Sequence, residues 1–100
     1  VVLLVNEGTI SVGEFMTMAF MTAPNVKLVG TNTAGADGNV SYIILPGSIY
    51  VQYSGLGVYF PDGEETQRKG IKPDIIVKQS LTGLMHDKDA QLEAAIKVLK

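Results

Sequence analysis

A chain of 100 residues with 46% apolar content can bury one modest core, so one domain or part of one is the limit. Its formal net charge of −2, with acids and bases interspersed, supplies no basic stripe to neutralise a phosphate backbone, which argues against nucleic-acid binding. No apolar run approaches the roughly 18 to 20 residues that span a bilayer, and the absence of Cys removes disulfides, thiolate metal sites and a cysteine nucleophile.

The chain opens without Met, already inside a strand-like run that lacks the basic flank of a signal peptide, so it reads as a soluble excised or processed piece. Residues 1–5 are an unbroken β-branched and leucine run, the pattern of a strand covered on both faces and therefore central. Asn6-Glu7-Gly8-Thr9 has turn chemistry. Residues 12–23 are apolar on nearly every side, with Phe15, Met18, Ala19 and Thr22 at helical spacing, which predicts a buried helix ended by Pro24-Asn25. A short strand follows at 26–29, then a Gly- and Asn-rich loop over 30–39. Residues 40–45 and 49–53 flank Pro46-Gly47-Ser48 and predict a β-hairpin, and Tyr42, Tyr50, Tyr53 and Tyr59 read as half-buried sheet residues. Another strand at 56–60 leads into Pro61-Asp62-Gly63, and a late strand at 75–77 follows Pro73-Asp74. Leu92, Ala95, Ile96 and Leu99 mark an amphipathic terminal helix with Asp87 or Asp89 near its N-cap. This order defines an α/β fold with an antiparallel component, without internal repeats or linkers.

Ser11, in Thr9-Ile10-Ser11-Val12-Gly13-Glu14, stands where the first strand becomes a helix. There a hydroxyl sits on a fixed element beside unpaired first-turn N–H groups and the positive end of the helix dipole, a suitable place for a nucleophile and its oxyanion. The same spacing, Ser11 to Glu14, is also a capping box, in which the hydroxyl only satisfies an orphan amide, and spacing alone favours that reading. The G-x-S-x-G elbow is matched only in its second half, because Thr9 replaces the first Gly.

Several landmarks in order narrow the choice. Val2-Leu3-Leu4-Val5-Asn6, Thr9-x-Ser11-x-x-Glu14-Phe15, Leu28-Val29-Gly30-x-x-Thr33-x-Gly35, Leu45-Pro46-Gly47, Pro61-Asp62-Gly63 and Gly70-Ile71-x-Pro73-Asp74 together resemble the C-terminal processing, or tail-specific, serine peptidases along nearly the whole chain. The resemblance implies a ClpP/crotonase-like mixed sheet with helices, and it makes residues 1–100 the C-terminal part of a catalytic domain. It implies Ser11 as nucleophile, the Val12 N–H as an oxyanion donor, a polypeptide substrate, no cofactor, and an extracytoplasmic setting such as the periplasm or cell envelope. Members with a Ser–Lys dyad carry a lysine in a loop about 25 residues after the Ser; here Ala36 occupies that position, in Gly35-Ala36-Asp37-Gly38. The chain therefore resembles the tricorn-like branch, in which a His base comes from an upstream part of the parent chain. A Glu or Gln before the Gly-x-x-Pro-Asp element assists in that branch, which maps onto Gln67 or, less well, Glu65; a solvated hairpin is the plain alternative for both.

The remaining candidates are weaker. Gly30 and Gly35 have P-loop spacing, but Ala36-Asp37 replaces the required Lys and Ser/Thr. His86, the only histidine, reads as a surface-loop residue, the lysines as solvated, and no cluster has metal-ligand spacing. Two other functional classes stay open: a non-catalytic ligand- or peptide-binding module of the same fold, and a crotonase-like acyl-CoA enzyme, for which no residue speaks.

Overall fold

The computed structural model describes residues 1–100. Strands β1 (Val2–Val5), β2 (Lys27–Gly30) and β5 (Ile75–Ile76) form a parallel sheet in the order β1-β2-β5, with Leu3 opposite Leu28 and Val29 opposite Ile75. The first strand, expected to be central, lies at the edge of this sheet, and β2 takes the middle. The burial follows the position: Val29 is 0% exposed between its neighbours, whereas Leu4 is 45% exposed. Gly30 ends β2 at φ 141°, and a Cβ there would lie 1.8 Å from the Val5 carbonyl oxygen, so this close strand approach requires glycine. Val5, Leu28 and Ile71 form the apolar core, with Leu3, Met18, Val26 and Phe60 packed around it.

Helix α1 (Val12–Met21) ends at Thr22, whose N–H donates to the Ala19 carbonyl at 3.3 Å, while the Ala23 N–H donates to the Phe20 carbonyl at 3.0 Å. It is not the buried apolar helix that its composition predicts. Its two buried residues are Glu14 and Thr17, while Phe15, Met16, Phe20 and Met21 are exposed. The reason is polar: Glu14 is held inward by donors from a neighbouring loop, and that fixes which face of the helix turns in.

Strands β3 (Gly38–Leu45) and β4 (Ile49–Gly57) form an antiparallel hairpin with a register shift between Asn39 and Val40. They run longer than predicted, so Leu56 and Gly57 belong to β4, and the rest of the expected 56–60 strand contributes only an isolated antiparallel bridge between Tyr59 and Glu65. The hairpin stands away from the parallel sheet in a molecule measuring 56 × 35 × 17 Å. Its tyrosines are consequently exposed rather than half-buried.

Two helices close the chain. A short α2 (Leu81–Met85), unforeseen in the sequence, is capped by the Ser80 hydroxyl accepting from the Gly83 N–H at 3.0 Å. Helix α3 (Ala90–Leu99) packs on β1 and β2 and is capped by Asp89, which accepts from the Leu92 N–H at 2.9 Å. Asp87 instead adopts φ 53° in the turn between the helices. No helix is long and apolar enough to cross a membrane.

Candidate active site

Ser11 occupies the turn from β1 into α1 with φ 52° and ψ −119°, a backbone conformation that costs a non-glycine residue strain and persists only where neighbours over-determine it. The neighbours here are explicit. The Ser11 N–H donates to the Ala36 carbonyl at 3.2 Å, and two residues earlier the Thr9 carbonyl accepts from the Ala34 N–H at 3.0 Å. The turn is thereby laced to residues 34–36. Half of a capping box is formed, with the Ser11 N–H donating to a Glu14 carboxylate oxygen at 3.3 Å, but the Glu14 N–H makes no hydrogen bond to the Ser11 hydroxyl. The Glu14 N–H donates instead to the Ser11 carbonyl at 2.8 Å. Ser11 is exposed, and the N–H of Val12, as the first helical residue, has no intrahelical acceptor by position.

Glu14 is the hub of the site. Its side chain is 0% exposed. One carboxylate oxygen accepts from the Thr33 hydroxyl and, at 2.8 Å, from the Gly35 N–H; the other accepts from the Ala36 N–H at 2.9 Å and the Ser11 N–H at 3.3 Å. The loop that supplies these donors is braced from its far side. The Ile71 N–H donates to the Thr33 hydroxyl oxygen at 2.7 Å, and the Arg68 N–H donates to the Gly35 carbonyl at 2.6 Å. Gly35, at φ 68°, lets the loop turn its amides inward, and a Cβ there would press within 3.0 Å of the Arg68–Lys69 backbone. Segments 9–14, 33–36 and 66–71 thus form one hydrogen-bonded unit.

Beside this unit lies an open groove of about 280 Å³ lined by Ser11, Val12, Phe15, Asp37, Gly38, Asn39, Val40 and Val58. Ser11 and Val12 therefore share one surface, bordered by the end of the Gly- and Asn-rich loop. Gln67 and Glu65 do not line it. Gln67 is half-buried with its Oε1 unpartnered, one residue from the Arg68 contact to Gly35, and Glu65 is exposed in the bridge to Tyr59. His86 is also apart from the groove, with its Nδ1 2.8 Å from the Thr82 carbonyl oxygen. Two residues gain importance that the sequence reading did not give them. Thr33 links Glu14 to Ile71, and Asp37 is 4% exposed with an unpartnered Oδ2. Burial first, and the charge of Glu14 second, hold the Asp37 carboxyl above the ordinary Asp value.

A helix start presented on a parallel-sheet turn, braced by an amide-rich loop over a groove, defines the chain as part of an α/β domain. It belongs to Peptidase family S41, whose profile matches residues 1–77, from β1 through β5. Among solved structures it is similar to a putative peptidase from Parabacteroides merdae, at 28% identity and a TM-score of 0.84 over 98% of this chain and 31% of that one. The photosystem II D1 C-terminal processing protease is 25% identical with a TM-score of 0.67, over 77% of this chain and 20% of that one. The tricorn protease shares the fold, with 24% identity and a TM-score of 0.82 over 98% of this chain and 10% of that one. The chain thus spans about a third or less of the length of these structures. A search of curated protein sequences returns no match.

Proposed function

We propose that residues 1–100 are the C-terminal part of a serine peptidase catalytic domain and that Ser11 is its nucleophile, acting on polypeptides. The observation that carries this reading is the state of Ser11: exposed on a groove at the start of α1, in a strained backbone conformation. A serine that served only to cap the helix would have no need of that strain.

In the proposed reaction the Ser11 Oγ attacks the scissile carbonyl carbon while its proton passes to a base. The carbonyl oxygen becomes an oxyanion beside the Val12 N–H, at the positive end of α1. Collapse breaks the C–N bond, the amine leaves with the proton, and water then hydrolyses the acyl ester. The groove holds no histidine or lysine, so the base, together with a second oxyanion donor, is assigned to residues upstream of Val1 in the parent chain. Gln67, or Glu65 in second place, is assigned to orienting that base. The extracytoplasmic setting follows from the family resemblance alone.

The test is labelling of the full-length protein with a fluorophosphonate probe. Covalent modification of the Ser11 peptide, lost in Ser11→Ala, is the expected result. Binding of peptides by a protein that never reacts with the probe would instead establish a binding module of the same fold.

A further inference from the structure

Asp37 is the ionisable side chain of the Ser11 groove, and the acyl-transfer step leaves it without a role. Its setting contrasts with that of Glu14. Both carboxyls are buried, yet Glu14 accepts from four donors while the Asp37 Oδ2 is enclosed with none. A buried carboxylate without donors is costly, and the cost is relieved when a cation or N–H group joins it. The rest of the groove narrows what that partner is. Val12, Phe15, Val40 and Val58 give it apolar walls, the surface along which the methylene stem of a lysine or arginine packs while its charged head reaches a carboxylate. The volume of about 280 Å³ admits one such side chain. The register shift between Asn39 and Val40 lies at the same place, a kind of irregularity that re-aims side chains next to sites.

We propose that Asp37 receives the cationic side chain of a lysine or arginine in the bound polypeptide, so that basic residues beside the scissile bond define the preferred substrate. This rests on the reading of the Ser11 groove as a polypeptide site. The charge pair would form in a largely desolvated place, where an uncharged isostere of the same length leaves the carboxyl unpaired and is discriminated against.

The test separates binding from chemistry. In the full-length protein carrying Ser11→Ala, fluorescent peptides that differ only in Lys or norleucine at one position are titrated by anisotropy. The Lys peptide is expected to bind at least about tenfold tighter, and Asp37→Asn in the same background to abolish the preference. With Ser11 intact, Asp37→Asn should lower kcat/KM for the Lys substrate by about 10- to 100-fold while changing the norleucine substrate by less than about threefold. Equal affinity for the two peptides, or a preference that survives Asp37→Asn, overturns the proposal. So does an equal loss on both substrates with a displaced pH profile, which would make Asp37 a residue that positions the base. Because the binding arm uses Ser11→Ala, a protein that binds the Lys peptide selectively but never hydrolyses it counts against the acyl-transfer reading alone.

Discussion

Replacing Glu14 by Gln preserves the volume of the side chain and tests whether the Ser11 turn is held by charge and acceptor count. The carboxylate offers two oxygens to the Thr33 hydroxyl and to the N–H groups of Gly35, Ala36 and Ser11. If the amide oxygen stays toward Thr33 and Gly35, the new NH2 faces the N–H groups of Ala36 and Ser11. The opposite orientation is better, because Thr33 Oγ1 can accept from the NH2, but it still sets the NH2 against the Gly35 N–H. One buried backbone donor is orphaned at minimum, at about 1–3 kcal/mol, and the remaining bonds fall from charge-assisted to neutral strength, roughly halving each. With Glu14 fully buried, solvent does not screen these losses, and the sum is about 3–5 kcal/mol out of a typical domain stability of about 5–15 kcal/mol. Urea denaturation of the full-length protein should show a lower midpoint at unchanged slope, and reaction of Ser11 with a fluorophosphonate should slow in parallel. A loss below about 1 kcal/mol would refute the hub role, since even one orphaned donor exceeds it.

Two further outcomes follow from the same geometry. The folded pKa of Asp37 lies above the ordinary value of 3.8, so its stabilising contribution is present below that value and is lost as pH rises through the folded pKa; Asn, which does not titrate, should match Asp at low pH and melt at higher temperature than wild type above that window. Melting curves of Asp37→Asn and wild type at about pH 3.5 and pH 7 check this, and a variant that is less stable at the higher pH contradicts the sign. Gly30→Ala should prevent folding or lower the midpoint severely, because its Cβ would sit 1.8 Å from the Val5 carbonyl oxygen, whereas Gly63→Ala, at φ 88° with open space around it, should cost only about 1 kcal/mol in the same assay.

What was legible in the sequence depended on whether a local rule or a distant partner decided the outcome. The β1 turn into α1, the hairpin, the late strand and the Asp89-capped terminal helix were readable from turn chemistry, periodicity and capping, each of which acts within a few residues. The edge position of β1 was not, because a Val/Leu run records burial on two faces without saying which elements provide it. The orientation of α1 escapes the sequence for the same reason. Phe15 and Met18 suggest an apolar inward face, but the inward face is set by Glu14, whose donors Thr33, Gly35 and Ala36 arrive from about 20 residues away. Ser11 and Val12 were singled out by their place at a helix start. Asp37 carries no signal of its own in the sequence, because an acid inside a glycine-rich loop is enclosed only by the way that loop packs. Gln67 and Glu65 came only from the order of family landmarks, and the groove does not include them.

The inversion in α1 bears on how the site keeps its shape. Of the 14 buried residues, five are apolar core positions and five are polar or charged: Glu14, Thr17, Thr33, Asp37 and Thr66. Four of these five belong to, or border on, the unit that joins segments 9–14, 33–36 and 66–71. Thr66 N–H and Oγ1 both donate to the Val58 carbonyl, at 3.1 and 3.0 Å, which ties that unit to the wall of the groove. Apolar packing tolerates small sliding of one surface on another, because it is non-directional, whereas a donor held at 2.8 Å from a fixed carboxylate oxygen does not. A strained residue such as Ser11 needs the second kind of restraint, since its φ of 52° would otherwise relax to the extended region that an ordinary N-cap adopts, and the turn that carries its hydroxyl would swing with it. The buried polar network is therefore the part of the fold that makes Ser11 available, and the apolar side chains of α1 and the hairpin, left exposed, are free to meet whatever packs against them without disturbing it.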